Sequence, residues 1–121
     1  MWGKRTGKFN NKKTEYNGVL YDSLLEIDYA KYLDVLKKGK AIKDWKRQVP
    51  IQLIVNGKLV TKLIADFAVV NKDKTISYKE IKSPFTAKQP LFRLKLKLIK
   101  ALHPELDYEV VLTKDVKNLM K

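Results

Sequence analysis

Three residues carry the chemistry this chain of 121 residues offers first: Asp66, Glu80 and Lys82. Asp66 stands in the middle of residues 63–70, a run apolar at nearly every other position and so expected to be a strand covered on both faces. A carboxylate there is costly to desolvate unless something pairs with it. Glu80-Ile81-Lys82 ends a second strand, residues 75–82, after the turn Asn71-Lys72-Asp73-Lys74. Its alternation puts Ile76, Tyr78, Glu80 and Lys82 on one face and Ser77, Lys79 and Ile81 on the other. Paired strands lie about 5 Å apart, so Asp66 and Glu80 can meet at one point. Two carboxylates held together repel, and one stays protonated unless a cation lies between them. Magnesium suits that position, because it takes oxygen ligands and often only one or two protein carboxylates. Lys82 points to the same place. The tripeptide alone carries little, since an acid two residues before a lysine also occurs at Asp44-Trp45-Lys46 and Asp115-Val116-Lys117. Only Glu80-Ile81-Lys82 follows an apolar strand with its own central acid.

The surrounding pattern supplies the elements that must hold these residues. Ser23-Leu24-Leu25-Glu26 fits a capping box and opens a helix over residues 23–38, with Gly39 as its stop. Leu25, Tyr29, Tyr32, Leu33 and Leu36 form its apolar stripe. Glu26 lies at the edge of that stripe and either closes the capping box or reaches into the site. Residues 48–55 read as a strand, Asn56-Gly57 as a two-residue hairpin, and the next strand runs from Lys58 into residues 63–70. With residues 75–82 this makes a three-stranded antiparallel meander. Residues 85–89 are a loop, Pro90 opens a helix to Leu102, and residues 106–112 are a last long strand. The helix before it is a crossover, so that strand can join the sheet in parallel. A short terminal helix, capped by Thr113 or Asp115, ends near Lys121. Upstream, Tyr16 to Tyr21 is a short extended piece turning at Asn17-Gly18.

On the helix 90–102, Leu91, Leu94, Leu98, Ile99 and Leu102 form an apolar arc, and Arg93, Lys97 and Lys100 fall opposite it. Lys95 lies inside the arc. It either points at the carboxylates or the scissile phosphate, or buries its stem and keeps its head in water.

Net charge is +13, from 26 Lys plus Arg against 13 Asp plus Glu, which points to a polyanion and most directly to nucleic acid. No cysteine is present, which excludes disulfides, thiolate catalysis and zinc–sulfur sites and agrees with a cytoplasmic protein. No apolar run approaches the roughly 18 residues of a membrane span. The single histidine, His103, cannot build a histidine metal cluster, and its place at a helix end suits a capping or solvent role. Residues 1–14 hold five basic residues (Lys4, Arg5, Lys8, Lys12 and Lys13) and no acid. They read either as a flexible arm along a phosphate backbone or as a solvated tail. Residues 15–121 form one domain, undivided by any linker. Trp45 and Arg47 precede the first meander strand; each can touch nucleic acid, though Trp45 is more readily a packing residue.

The order of helix with an acid, three strands carrying Asp66 and then Glu80-Ile81-Lys82, helix and strand resembles the core of the PD-(D/E)XK nuclease superfamily. Tyr21-Asp22-Ser23-Leu24-Leu25-Glu26, Asp44-Trp45-Lys46-Arg47-Gln48-Val49 and Ile64-Ala65-Asp66-Phe67 resemble a small phage and prophage family catalogued as a domain of unknown function. They are also similar to the transposon-end-cleaving nuclease subunit of heteromeric transposases. The resemblance covers about residues 16–112. Ala65 stands where the superfamily name has proline, a position that varies. It implies a restriction-endonuclease-like α/β core with a mixed central sheet. Asp66, Glu80 and the Ile81 carbonyl would hold Mg2+ or Mn2+, with Glu26 joining them. Lys82 would orient the attacking water or meet the developing charge, and Gln48 would support the site.

The expectation is therefore a metal-dependent DNA endonuclease, phage- or prophage-encoded, at work in DNA processing or recombination in the cytoplasm of a bacterial host. Basic residues outside the site, Arg47, Lys88, Arg93 and Lys97 together with the arm, would hold the DNA backbone. Cutting both strands of a symmetric substrate would favour a homodimer, although no dimer surface is legible. The alternatives are a basic binding module with an inactive nuclease fold, and a structural or assembly protein.

Overall fold

Two Asn-Gly pairs shape the first half of the chain. In the computed structural model, which describes residues 13–21 and 23–119, φ is 51° and 77° at Asn17-Gly18 and 51° and 78° at Asn56-Gly57. Positive φ at both positions gives the tight turn whose twist matches that of the flanking strands. The first pair joins β1 (Thr14–Tyr16) to β2 (Val19–Tyr21), and the second joins β3 (Asp44–Val55) to β4 (Lys58–Val70). The basic arm expected over residues 1–14 thus gives way to a strand at Thr14. Lys13 is exposed, and Lys4, Arg5, Lys8 and Lys12 lie outside the described residues.

Between the hairpins runs α1 (Leu24–Lys38), started by Ser23, whose Oγ accepts the Glu26 N–H at 3.1 Å. After β4 come β5 (Ile76–Lys82), α2 (Pro84–Ala87), α3 (Pro90–Leu102), β6 (Asp107–Leu112) and α4 (Thr113–Leu119). The main sheet has the order β3-β4-β5-β6, antiparallel across the first three strands, with β6 parallel to β5. This is the expected α/β arrangement of helix, antiparallel meander, helix and strand around a mixed sheet. Two boundaries differ by more than one residue. Strand β3 starts at Asp44 rather than at residue 48, because Trp45 and Arg47 pair with Val69 and Phe67 of β4. Residues 84–87 are helical rather than loop, since Ser83 Oγ caps them by accepting the Thr86 N–H.

Two apolar clusters hold the sheet between its helices. On the α1 side, Ile27, Ala30 and Leu33 pack with Phe67, Val69 and Val116 of α4. On the α3 side, Ile99 packs with Ile51, Leu53, Leu63, Ala65 and Tyr108. Burying each such side chain contributes roughly 1.5–3 kcal/mol. Helix α1 buries Ile27 and Ala30 beside the expected stripe, because α4 and Tyr21 cover it from a second side. In α3 the inward face is set by Phe92 and Ile99, while Leu91 and Leu94 of the expected arc are 65% and 55% exposed. Trp45 is a packing residue: its ring meets Phe67 edge-on, and its Nε1–H donates to Asp34 of α1 at 2.9 Å. His103 is the C-cap of α3, and a ring nitrogen lies 3.1 Å from the Gln52 carbonyl. Among the described residues no helix is long and apolar enough to cross a membrane.

Candidate active site

The site forms where one ribbon turns over. Trp45, Phe67 and Val69 pack toward α1, whereas Ile51, Leu53, Leu63 and Ala65 pack toward α3. All have odd numbers, so in a regular ribbon they would share one face. Between the two groups lies Gln48, in the left-handed region at φ 52°. The pairs Arg47–Phe67 and Val49–Ala65 place Gln48 opposite Asp66. A side chain with a Cβ at such φ costs on the order of 1 kcal/mol, and here the strain accompanies the change of face. Just there β4 also leaves β5, because their last paired residues are Phe67 and Lys79.

Asp66 occupies the fork. Its Oδ2 accepts the Ile81 N–H at 2.8 Å, so a side chain bridges to the β5 backbone beyond the last β4–β5 pair. Burial is the main cause that raises its carboxyl above the ordinary value of 3.8. The nearby charge of Glu80 raises it further, while the Ile81 N–H, Lys82 and Arg47 oppose the shift. Glu80 is buried. One of its oxygens accepts the Tyr108 hydroxyl and the other lies 3.3 Å from Lys82 Nζ. Lys82 rests over the Phe92 ring, 4.9 Å from its centre. Alternation along β5 turns Glu80 and Lys82 toward α3 and sends the Ile81 side chain into the α1 core.

A cleft of about 330 Å³ is lined by Glu80 and Lys82 of β5, by Lys62 and Ile64 of β4 and by Leu91, Phe92 and Lys95 of α3, and Asp66 is not among its lining residues. Ile64 is 47% exposed, so the run 63–70 is not covered on both faces throughout. Lys95 lines the cleft and is half-buried, between the inward Phe92 and Ile99. Arg93 and Lys97 lie elsewhere, in a surface depression with Pro90 and Leu94, and Lys88 is exposed at the end of α2.

Glu26 and Arg47 make a second group beside the fork. The Glu26 N–H is capped by Ser23, and its carboxylate lies 3.9 Å from the Arg47 guanidinium. That guanidinium stacks on the Tyr21 ring at 4.3 Å, and the Arg47 side chain is 23% exposed. Arg47 is also close enough to Asp66 to act on its charge. Gln48 is exposed.

Sequence reasoning missed Tyr108 and Lys62. Tyr108 pairs in register with Tyr78, and from there its hydroxyl reaches diagonally to Glu80 on the same face. Only the β5–β6 register reveals this, and no local pattern encodes it. Lys62 was hidden by the abundance of lysine.

A family model described as "Protein of unknown function (DUF1064)" matches residues 6–118. Among curated proteins no match was found.

Proposed function

The chain belongs to the DUF1064 family, whose description assigns no activity, and from its own residues we propose that it is a metal-dependent DNA endonuclease. The observation that carries this reading is the fork itself. Glu80 and Lys82 line a cleft with two further lysines, Lys62 and Lys95, and Asp66, held by the Ile81 N–H between them in sequence, lies near enough for its charge to be felt by both. The likeness of the element order and of Asp66 with Glu80-Ile81-Lys82 to the PD-(D/E)XK superfamily supports it, as does the net charge of +13.

The donor set fits a hard divalent cation such as Mg2+ or Mn2+. Asp66 is a half-buried carboxylate whose charge is disfavoured by desolvation and by Glu80, and a cation offsets that cost. Among the described residues no three histidine, cysteine or acidic side chains converge, but Mg2+ needs only one or two protein carboxylates and completes its shell with water and phosphate. Asp66 and Glu80 are the residues to hold it, with the Ile81 carbonyl as a further oxygen donor, whereas Glu26, beside Arg47, does not join them in a three-acid group. When bound, such an ion lowers the pKa of a water and polarises the scissile phosphate. The protein's own residues do the rest. Glu80 and the Phe92 ring orient the Lys82 ammonium, which is placed to steer the attacking water or meet charge developing on the phosphate. Tyr108 fixes the Glu80 carboxylate, and Lys95 adds a second cation from α3.

DNA is the substrate in this reading. Phage or prophage DNA processing is the setting, the host cytoplasm the place, and a homodimer suits cleavage of both strands. One observation favours an inactive binding module instead: both oxygens of Glu80 are already held, by Tyr108 and by Lys82. Supercoiled plasmid separates the two. Nicking or linearisation in Mg2+ or Mn2+, abolished by chelator, with Ca2+ giving binding but no turnover, is the expected result. A gel shift with no cleavage in any metal selects the binding module, and equal cleavage with and without chelator removes the metal from the reaction.

A further inference from the structure

The nuclease reading leaves the form of the DNA open, and the walls of the cleft bear on it. Three ammonium groups, from Lys62, Lys82 and Lys95, face the single Glu80 carboxylate among the lining side chains, which suits a polyanion. A duplex backbone needs no more than that, since its contacts go to phosphate oxygens. The mouth, however, is also apolar. Ile64 on β4 is 47% exposed and Leu91 on α3 is 65% exposed, on opposite walls. Large apolar side chains left in water beside a basic cleft mark a surface that meets an apolar partner. In a duplex the base faces are stacked on each other, and only an unpaired strand offers them to protein side chains.

Resting on the nuclease reading, we infer that the DNA strand entering this cleft is unpaired, with phosphates held by Lys62 and Lys95 and base faces against Ile64 and Leu91. The substrate class is single-stranded DNA or the splayed arm of a branched DNA. Fluorescence anisotropy in Ca2+ tests it with one labelled oligonucleotide presented as single strand, as blunt duplex and as splayed fork. The single strand and the fork are expected to bind at least about tenfold tighter than the duplex. In Mg2+ the cuts fall in the unpaired arm, and comparison of the single strand with the fork tells which of the two is preferred. The double substitution Ile64→Ser with Leu91→Ser, at exposed positions, is expected to weaken unpaired-strand binding about tenfold and duplex binding less than twofold. Leu91→Trp, which enlarges the stacking surface, is expected to tighten it. Duplex binding as tight as fork binding, or an equal loss on all three forms, overturns the inference. Failure of Mg2+ and Mn2+ to support cleavage of any form overturns the nuclease reading alone, because the binding ratios decide the strand preference without turnover.

Discussion

At Asp66 the native structure favours the neutral acid. Burial, with the Glu80 charge added, raises the folded-state pKa above 3.8, so the group's favourable contribution is present below that value and lost as pH rises through the folded-state one. At pH 7 its charge therefore destabilises the metal-free protein. Asp66→Asn keeps an acceptor for the Ile81 N–H and removes the charge. The expected outcome is a higher Tm than wild type at pH 7, with the difference closing as pH falls below 3.8, and cleavage reduced at least about 100-fold. Thermal melts across that range check it, and a lower Tm for the variant at pH 7 would show that the Ile81 N–H and the cations outweigh burial. Tyr108 acts at the same scale, on the other carboxylate. Tyr108→Phe removes the hydroxyl that holds Glu80 and costs about 1 kcal/mol in stability. If Tyr108 positions a metal ligand, the Mg2+ midpoint for cleavage moves up roughly tenfold or more. A purely structural tyrosine lowers Tm and leaves that midpoint where it was.

Among the elements, α3 does two jobs with two faces. Its inward face carries Phe92 against Lys82 and Ile99 against the sheet, and Lys95 between them reaches the cleft. Its outward face carries Arg93 and Lys97 in solvent. Lys95→Met is expected to lower turnover at least about tenfold with Tm unchanged or raised, since a half-buried cation is replaced by an apolar side chain of similar length. Lys97→Met is expected to weaken DNA binding in a salt-dependent way and leave turnover on bound DNA intact. Single-turnover kinetics at saturating protein distinguish the two, and matching losses would make Lys95 one more backbone contact. The β3–β4 ribbon is the other decisive element. Its turnover at Gln48 and Asp66 separates β4 from β5 and makes the space that the cleft occupies.

For the whole molecule, charge is the main determinant of association. A domain of 121 residues with net charge +13 releases counterions from any DNA it covers. The logarithm of affinity is expected to fall linearly with the logarithm of salt concentration, losing roughly a thousandfold between about 50 and 200 mM if six or more phosphates are contacted. Anisotropy titrations at four salt concentrations give the slope. A flat dependence would remove nucleic acid as the partner, whatever the site does. Exposed Lys88, Arg93 and Lys97 are expected to contribute most to that slope, and Arg47, stacked on Tyr21 and paired with Glu26, less.

Much of this was legible in the chain because it is local. The Asn-Gly turns, the Ser23 cap, Pro90 at the head of α3 and the alternation of residues 76–82 each depend on a few neighbouring residues and on backbone sterics. Alternation alone puts Glu80 and Lys82 on one face, and hydrophobicity alone marks Asp66 as a carboxylate in a costly place. What the chain could not disclose depends on register between distant strands. Gln48 gives no sign of a left-handed conformation, yet it sits opposite Asp66 where the ribbon changes face. The parallel pairing of β5 with β6 brings the Tyr108 hydroxyl to Glu80. The stacking of Arg47 on Tyr21 and the face that α3 turns inward were set the same way, by which surfaces meet once the sheet is assembled. Residue patterns specify which side chains share a face of one element, and only packing between elements decides what that face meets.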